Sequence, residues 1–135
     1  VATPIQVSFD AADPPALGGF WAEVLGYVEQ PPPAGFDTWE DALESYGIDT
    51  SDMARVYAIV DPEGVGPRFF FQKVPEGKTA KNRMHLDVNV GADLMESRAA
   101  ELVALGAELV SGPHDEPGGH WIVMRDPEGN EFCLQ

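Results

Sequence analysis

One four-residue phrase occurs twice in this chain and constrains its fold more than any other feature. Asp61-Pro62-Glu63-Gly64 and Asp126-Pro127-Glu128-Gly129 each stand between two apolar runs, residues 56–60 and 69–71 in the first case, 121–124 and 132–134 in the second. Proline presets φ for the second position of a turn and glycine supplies the positive φ that leaves it, so each phrase predicts a hairpin. Two such hairpins, half a chain-length apart in 135 residues, predict a duplicated unit.

The remainder of the chain repeats in the same order. Residues 5–10 alternate apolar and polar, the period of a half-buried strand, and so do residues 84–89. Asp13 followed by Pro14 and Pro15 predicts a helix start; Leu17, Phe20, Trp21, Val24 and Leu25 form its apolar stripe, and Gly26 ends it. In the second half Asp93 is the matching cap, Met95, Ala99, Leu102 and Val103 the matching stripe, and Leu105-Gly106 the matching end. Short strands at 27–30 and 107–110 follow, then strands at about 55–60 and 68–74, and at 121–125 and 131–134, flanking the two turns. The predicted class is α+β: two β-α-β-β-β modules with curved, mostly antiparallel sheets. They make a single domain over 1–135, with module 1 at about 1–74, a polar and basic linker at 75–82 and module 2 at about 83–135.

One segment has no counterpart. Beyond Pro31-Pro32-Pro33-Ala34-Gly35, residues 37–46 read as a short helix capped through Asp37 and Glu40, with Trp39, Leu43 and Tyr46 on one side. This insertion, 31–52, is either a cover over a pocket mouth or a plain surface helix. The Gly/Pro-rich stretch 112–119 reads as a loop that leaves His114 and His120 exposed.

Charge narrows the partners. With 23 acids against 8 bases the formal charge is −15, which argues against nucleic acid and anionic membranes. No apolar run approaches the roughly 18 residues of a membrane span. The single cysteine, Cys133, excludes an internal disulfide and a cysteine-based zinc cluster, and the cytoplasm is the expected location. The acidity reads as solubility or as a cavity for a cationic ligand. Lys73, Lys78, Lys81 and Arg83 cluster in one stretch, either a solvated loop or an anion gate.

Alternation decides which side chains meet the helices. Ile5, Val7, Phe9, Met84, Leu86 and Val88 are expected there, with Phe69, Phe71, Phe132 and Leu134. Gln6, Ser8, Asp10, Phe70, Gln72, His85, Asp87, Asn89, Glu131 and Cys133 then face the other way. Faces that mix aromatic and polar groups predict a small-molecule cleft.

These features resemble the glyoxalase / bleomycin-resistance / extradiol-dioxygenase superfamily, the vicinal oxygen chelate proteins. The resemblance is carried by Asp13 with Phe20-Trp21 and Leu25-Gly26, by His85, by Leu105-Gly106-Ala107, and by Asp126-Pro127-Glu128-Gly129-Asn130. The run Lys81-Asn82-Arg83-Met84-His85-Leu86-Asp87 is similar to a glyoxalase-like subgroup without an assigned reaction. The resemblance implies paired modules around a cleft, within a homodimer. In the superfamily's metal enzymes it also implies four ligands, one on each lead strand and one on each final strand, holding a divalent Lewis acid. Carried over, those positions are Gln6, Phe70 (or Gln72), His85 and Cys133, of which only His85 is an ordinary ligand.

Two functions follow. The first is a binding protein that holds a small molecule without the full metal set, as bleomycin-resistance members do. The second is a metal-dependent lyase, isomerase or dioxygenase acting on a small oxygenated metabolite, with His85 as base or remaining ligand. The expected ligand contacts are Gln6, Ser8, Trp39, Phe70, Gln72, His85, Asp87 and Cys133, and the catalytic candidate is His85. The first reading needs no cofactor, the second a divalent metal with His85 among its ligands. Cys133 reads as a small apolar filler.

Overall fold

In the computed structural model, which describes residues 1–135, the chain falls into two units, Val1–Pro75 and Glu76–Gln135. The first contains β1 (Val7–Ala11), α1 (Pro14–Leu25), β2 (Val28–Glu29), α2 (Trp39–Ser45), β3 (Val56–Val60) and β4 (Phe69–Lys73). The second contains β5 (Leu86–Val88), α3 (Met95–Ala104), β6 (Glu108–Glu116), β7 (Gly119–Arg125) and β8 (Glu131–Leu134). Each unit has one four-stranded sheet, ordered β1-β4-β3-β2 and β5-β8-β7-β6. The lead strand runs parallel to the last strand in each, while the other pairs are antiparallel. The fold is therefore α+β with the expected β-α-β-β-β order in both halves.

Helix ends follow the sequence at α1, whereas the starts of α2 and α3 depart from it. Asp13 caps α1 by accepting from the Ala16 N–H at 3.2 Å, and Gly26 closes it at φ 70°. The cap of α2 is Thr38, not Asp37, because the Thr38 hydroxyl reaches the Asp41 N–H at 3.0 Å. Asp93 does not cap α3. The chain first makes a turn in which the Leu94 N–H bonds to the Gly91 carbonyl, and the helix starts at Met95 without a side-chain cap.

Both cores lie where parity puts them. Phe69, Phe71, Trp21, Leu17 and Ile59 are buried in the first unit, and Phe132, Leu134, Ile122, Met124 and Leu102 in the second. Phe9 stacks on Trp21 and on Phe71, with ring centroids 5.4 and 5.2 Å apart. The sheet approaches α1 so closely at Gly18 that a Cβ there would collide with the Tyr57 ring and press on Phe71. Ile5 and Met84 are corrections: they are 72% and 88% exposed. Pairing begins only at Val7↔Phe69 and Leu86↔Phe132, so neither residue has a strand beside it. The stretch 112–119 is also a correction, since β6 continues through Glu116 with bulges and only Pro117 and Gly118 form the turn.

The repeated phrase works through its aspartates. Asp126 is buried, and its carboxylate accepts the Glu128 N–H at 2.9 Å, the Asn130 N–H at 3.0 Å and the Asn130 side-chain amide at 2.8 and 3.1 Å. Asp61 does the same less deeply, accepting from the N–H groups of Glu63, Val65 and Gly66 at 2.8–3.0 Å. Gly64 and Gly129 leave the turns at φ 71° and 88°. Asp126→Ala strands several part-buried donors and is expected to cost roughly 2–4 kcal/mol in denaturant unfolding, and Asp61→Ala distinctly less. Equal costs would contradict this account of the two turns.

Candidate functional site

The outward face of the first sheet is organised by Arg68, the residue immediately before β4. Its Nε donates to Gln30 Oε1 at 2.7 Å and its Nη1 to Gln6 Oε1 at 2.8 Å, while its guanidinium carbon lies 5.1 Å from the centre of the Phe70 ring. Gln6 in turn donates to the Ser8 hydroxyl at 3.2 Å, and Gln72 donates to Asp10 at 2.9 Å. Gln6, Ser8 and Phe70 thus belong to one network, with Gln72 paired apart from it. Sequence reasoning missed Arg68 because it was read only as the edge of a strand. Its one signal was position: two residues before Phe70, on the same face by alternation.

The insertion builds a pocket on this unit. Trp39 donates its indole N–H to the Gln30 carbonyl at 2.7 Å, which pins α2 to the end of β2. Trp39 and Leu43 then wall a pocket of about 650 Å³ together with Val56, Tyr57, Arg68 and Phe70. Of the two roles open to the insertion, the geometry matches the wall of a pocket. Its volume falls in the range of small-molecule sites. Burial, and then the neighbouring Glu29 carboxylate, raises the Tyr57 phenol above its ordinary pKa, so it stays protonated.

A second cluster lies in the other unit. His85 stands just before β5, and parity with pairing across β5 and β8 brings Asp87 beside Cys133. His85 Nδ1 is 3.1 Å from Asp87 Oδ1, and the candidate ligand atoms of His85, Asp87 and Cys133 all lie within 4.8 Å of one another. Burial, then the Asp87 charge and its hydrogen bond with the thiol, raises the Cys133 pKa. The thiol is thereby favoured in its protonated form beside Asp87.

The remaining candidates are engaged structurally. Lys78 pairs with Glu131 at 3.0 Å, and the Asn82 N–H donates to the same carboxylate at 2.9 Å. Burial would raise the Glu131 pKa, but these donors outweigh it and hold it at about 2. His114 is half-buried rather than exposed, because it stacks on Trp121 across the β6–β7 hairpin with centroids 5.0 Å apart. His120 pairs with Asp115 at 2.9 Å on the surface.

The superfamily's four-ligand metal set does not fit these residues. Phe70 has no donor atom, the alternative Gln72 is a weak neutral donor whose amide is tied to Asp10 at 2.9 Å, and the Gln6 oxygen already accepts from Arg68. Of the four positions, only His85 and Cys133 are among the three clustered potential ligands.

The model of the glyoxalase-like domain family matches residues 6–135, and the chain belongs to that family. Solved structures share the fold. A glyoxalase/bleomycin resistance protein/dioxygenase family enzyme from Burkholderia phytofirmans is 17% identical, with 96% of this chain and 94% of that one covered and a TM-score of 0.67. The fosfomycin resistance protein FosX from Mesorhizobium loti is 12% identical, with 100% and 91% covered and a TM-score of 0.66. A mutant of FosX from Listeria monocytogenes, complexed with Mn(II) and 1S,2S-dihydroxypropylphosphonic acid, is 11% identical, with 100% and 90% covered and a TM-score of 0.69. No curated protein matches the chain by sequence. At these identities the likeness to the solved structures is one of fold. No helix is long and apolar enough to cross a membrane.

The state of Cys133 is directly measurable. Alkylation by iodoacetamide at pH 8 is expected to be slower than for an unfolded-chain cysteine, and Asp87→Asn is expected to speed it several-fold by removing the charge that disfavours the thiolate. Unchanged reactivity in that variant would contradict the hydrogen-bonded thiol.

Proposed function

We propose that this protein binds a small organic molecule in the pocket walled by its insertion, without a metal of the superfamily's four-ligand type. One observation carries this reading: at the first-unit positions where that set would need two ligands, Gln6 and Phe70 instead hold the Arg68 guanidinium. Trp39 and Phe70 supply the aromatic walls, while Gln6 and Ser8 act through Arg68. The FosX complex offers the contrast, for it holds Mn(II) with its ligand. The family match across both units supports reading 1–135 as one domain, and the superfamily resemblance supports a homodimer. The single free cysteine accords with a cytoplasmic setting.

A second reading, catalysis, is favoured by the His85–Asp87 pair. If Nδ1–H donates to Asp87, Nε2 is left as an acceptor able to take a proton from a substrate. Asp87 would then be a positioning residue and His85 the base. The cluster with Cys133 also has the donor set of a thiophilic ion such as zinc.

Elemental analysis of untagged protein and calorimetry with manganese, nickel, iron and zinc separate the two readings. The binding reading expects no stoichiometric tight metal. Tight binding lost in His85→Ala would contradict it and favour the metal enzyme. The pocket itself is read from the indole N–H signals of Trp21, Trp39 and Trp121 in a fragment titration. The expected perturbation is at Trp39; perturbation of the other two alone would place the ligand elsewhere.

A further inference from the structure

Arg68 differs from every other charged residue lining the first-unit pocket. Glu29, Asp49, Asp52 and Arg55 are exposed, whereas Arg68 is half-buried. Charges on an exposed rim are screened by water and salt, while one set among apolar walls acts through a lower effective dielectric. The guanidinium is also uncompensated. Its hydrogen-bond partners are the neutral amide oxygens of Gln6 and Gln30, its aromatic neighbour is Phe70, and no carboxylate forms an ion pair with it.

The two amides fix its orientation without neutralising it. Nε and one N–H of Nη1 are taken, and Nη2 makes no hydrogen bond within the protein. A guanidinium has five N–H donors, so three remain for an acceptor outside the protein, in the fork that suits a carboxylate or phosphonate. A positioned cation beside Trp39, Tyr57 and Phe70 asks for a ligand with an anionic head and a flat or apolar body.

We infer that the insertion-walled pocket is an anion-recognition site in which Arg68 binds the carboxylate or phosphonate group of an amphiphilic small molecule. The inference rests on the pocket being the ligand site and goes beyond it by assigning the sign of the ligand's charge. It runs against the overall formal charge of −15, which steers cations toward the molecule at long range. The local field at Arg68 decides which ligand is retained once inside the pocket. Lys73, Lys78, Lys81 and Arg83, the basic cluster of the sequence, do not line this pocket, and Lys78 is tied to Glu131.

The experiment is a titration of the full chain, at moderate salt, with 4-phenylbutyrate, phenylphosphonate, 4-phenylbutylamine and 4-phenylbutanamide, read at the Trp39 indole signal. The expected result is saturable perturbation by one or both anions, at least tenfold weaker response to the amine and the neutral amide, and at least tenfold weaker anion binding in Arg68→Gln. Binding in Arg68→Lys should lie between the two, since the charge remains and the fork is lost. If Arg68→Gln does not fold, the salt dependence of the wild-type titrations replaces it: anion binding must weaken as ionic strength rises. Preference for the amine, equal binding of all four probes, or anion binding indifferent to both Arg68 and salt would overturn the anion assignment and leave the pocket in place. No response to any probe would overturn the pocket reading, and the anion assignment with it.

Discussion

Each unit depends on one pairing, that of its lead strand with its last strand. Val7↔Phe69 and Leu86↔Phe132 join residues from opposite ends of a unit in parallel register. Such pairs cannot be closed by a tight turn, so the helix and the other two strands must fit between them. The pairing also sets parity. With Phe69, Phe71, Phe132 and Leu134 turned into the cores, Phe70 and Cys133 are left on the opposite faces beside Ser8 and Asp87.

This shared frame carries different chemistry in the two halves. In the first, the outward face holds a guanidinium between two amides and a phenyl ring. In the second, the equivalent face holds a carboxylate between an imidazole and a protonated thiol. The duplicated scaffold resembles that of metal enzymes, yet in the first half the local cation is a side chain. A guanidinium held this way has no open coordination position and supplies no Lewis acid, but it keeps free N–H donors for an anionic ligand.

Much of the fold was legible because it rests on local, repeated signals. The Asp-Pro-Glu-Gly turns, the Asp13 cap and Gly26 lie in contiguous sequence, and alternation predicted the burial of Phe69 and Phe71. The errors arose where tertiary context overrode such signals. Asp93 looked like a cap, but a preceding turn delayed the helix to Met95. The Gly/Pro-rich stretch at 112–119 looked like a loop, but bulges let β6 run on against β7. Of the candidate site, the faces of Gln6, His85, Asp87 and Cys133 followed from parity. Arg68 did not, because its role depends on Gln6 and Gln30, which are distant in sequence and meet it only through sheet pairing.

Of the two first-unit positions where the superfamily set would need ligands, Gln6 is engaged by Arg68 and Phe70 has no donor atom. The central claim is therefore that no metal of that type is expected there. Paramagnetic broadening by Mn(II) tests it most directly, in isotope-labelled untagged protein at physiological salt. The account predicts that the side-chain amide signals of Gln6 and Gln30 and the Trp39 indole signal stay sharp at one equivalent of Mn(II). Selective loss of those signals at one equivalent would contradict it.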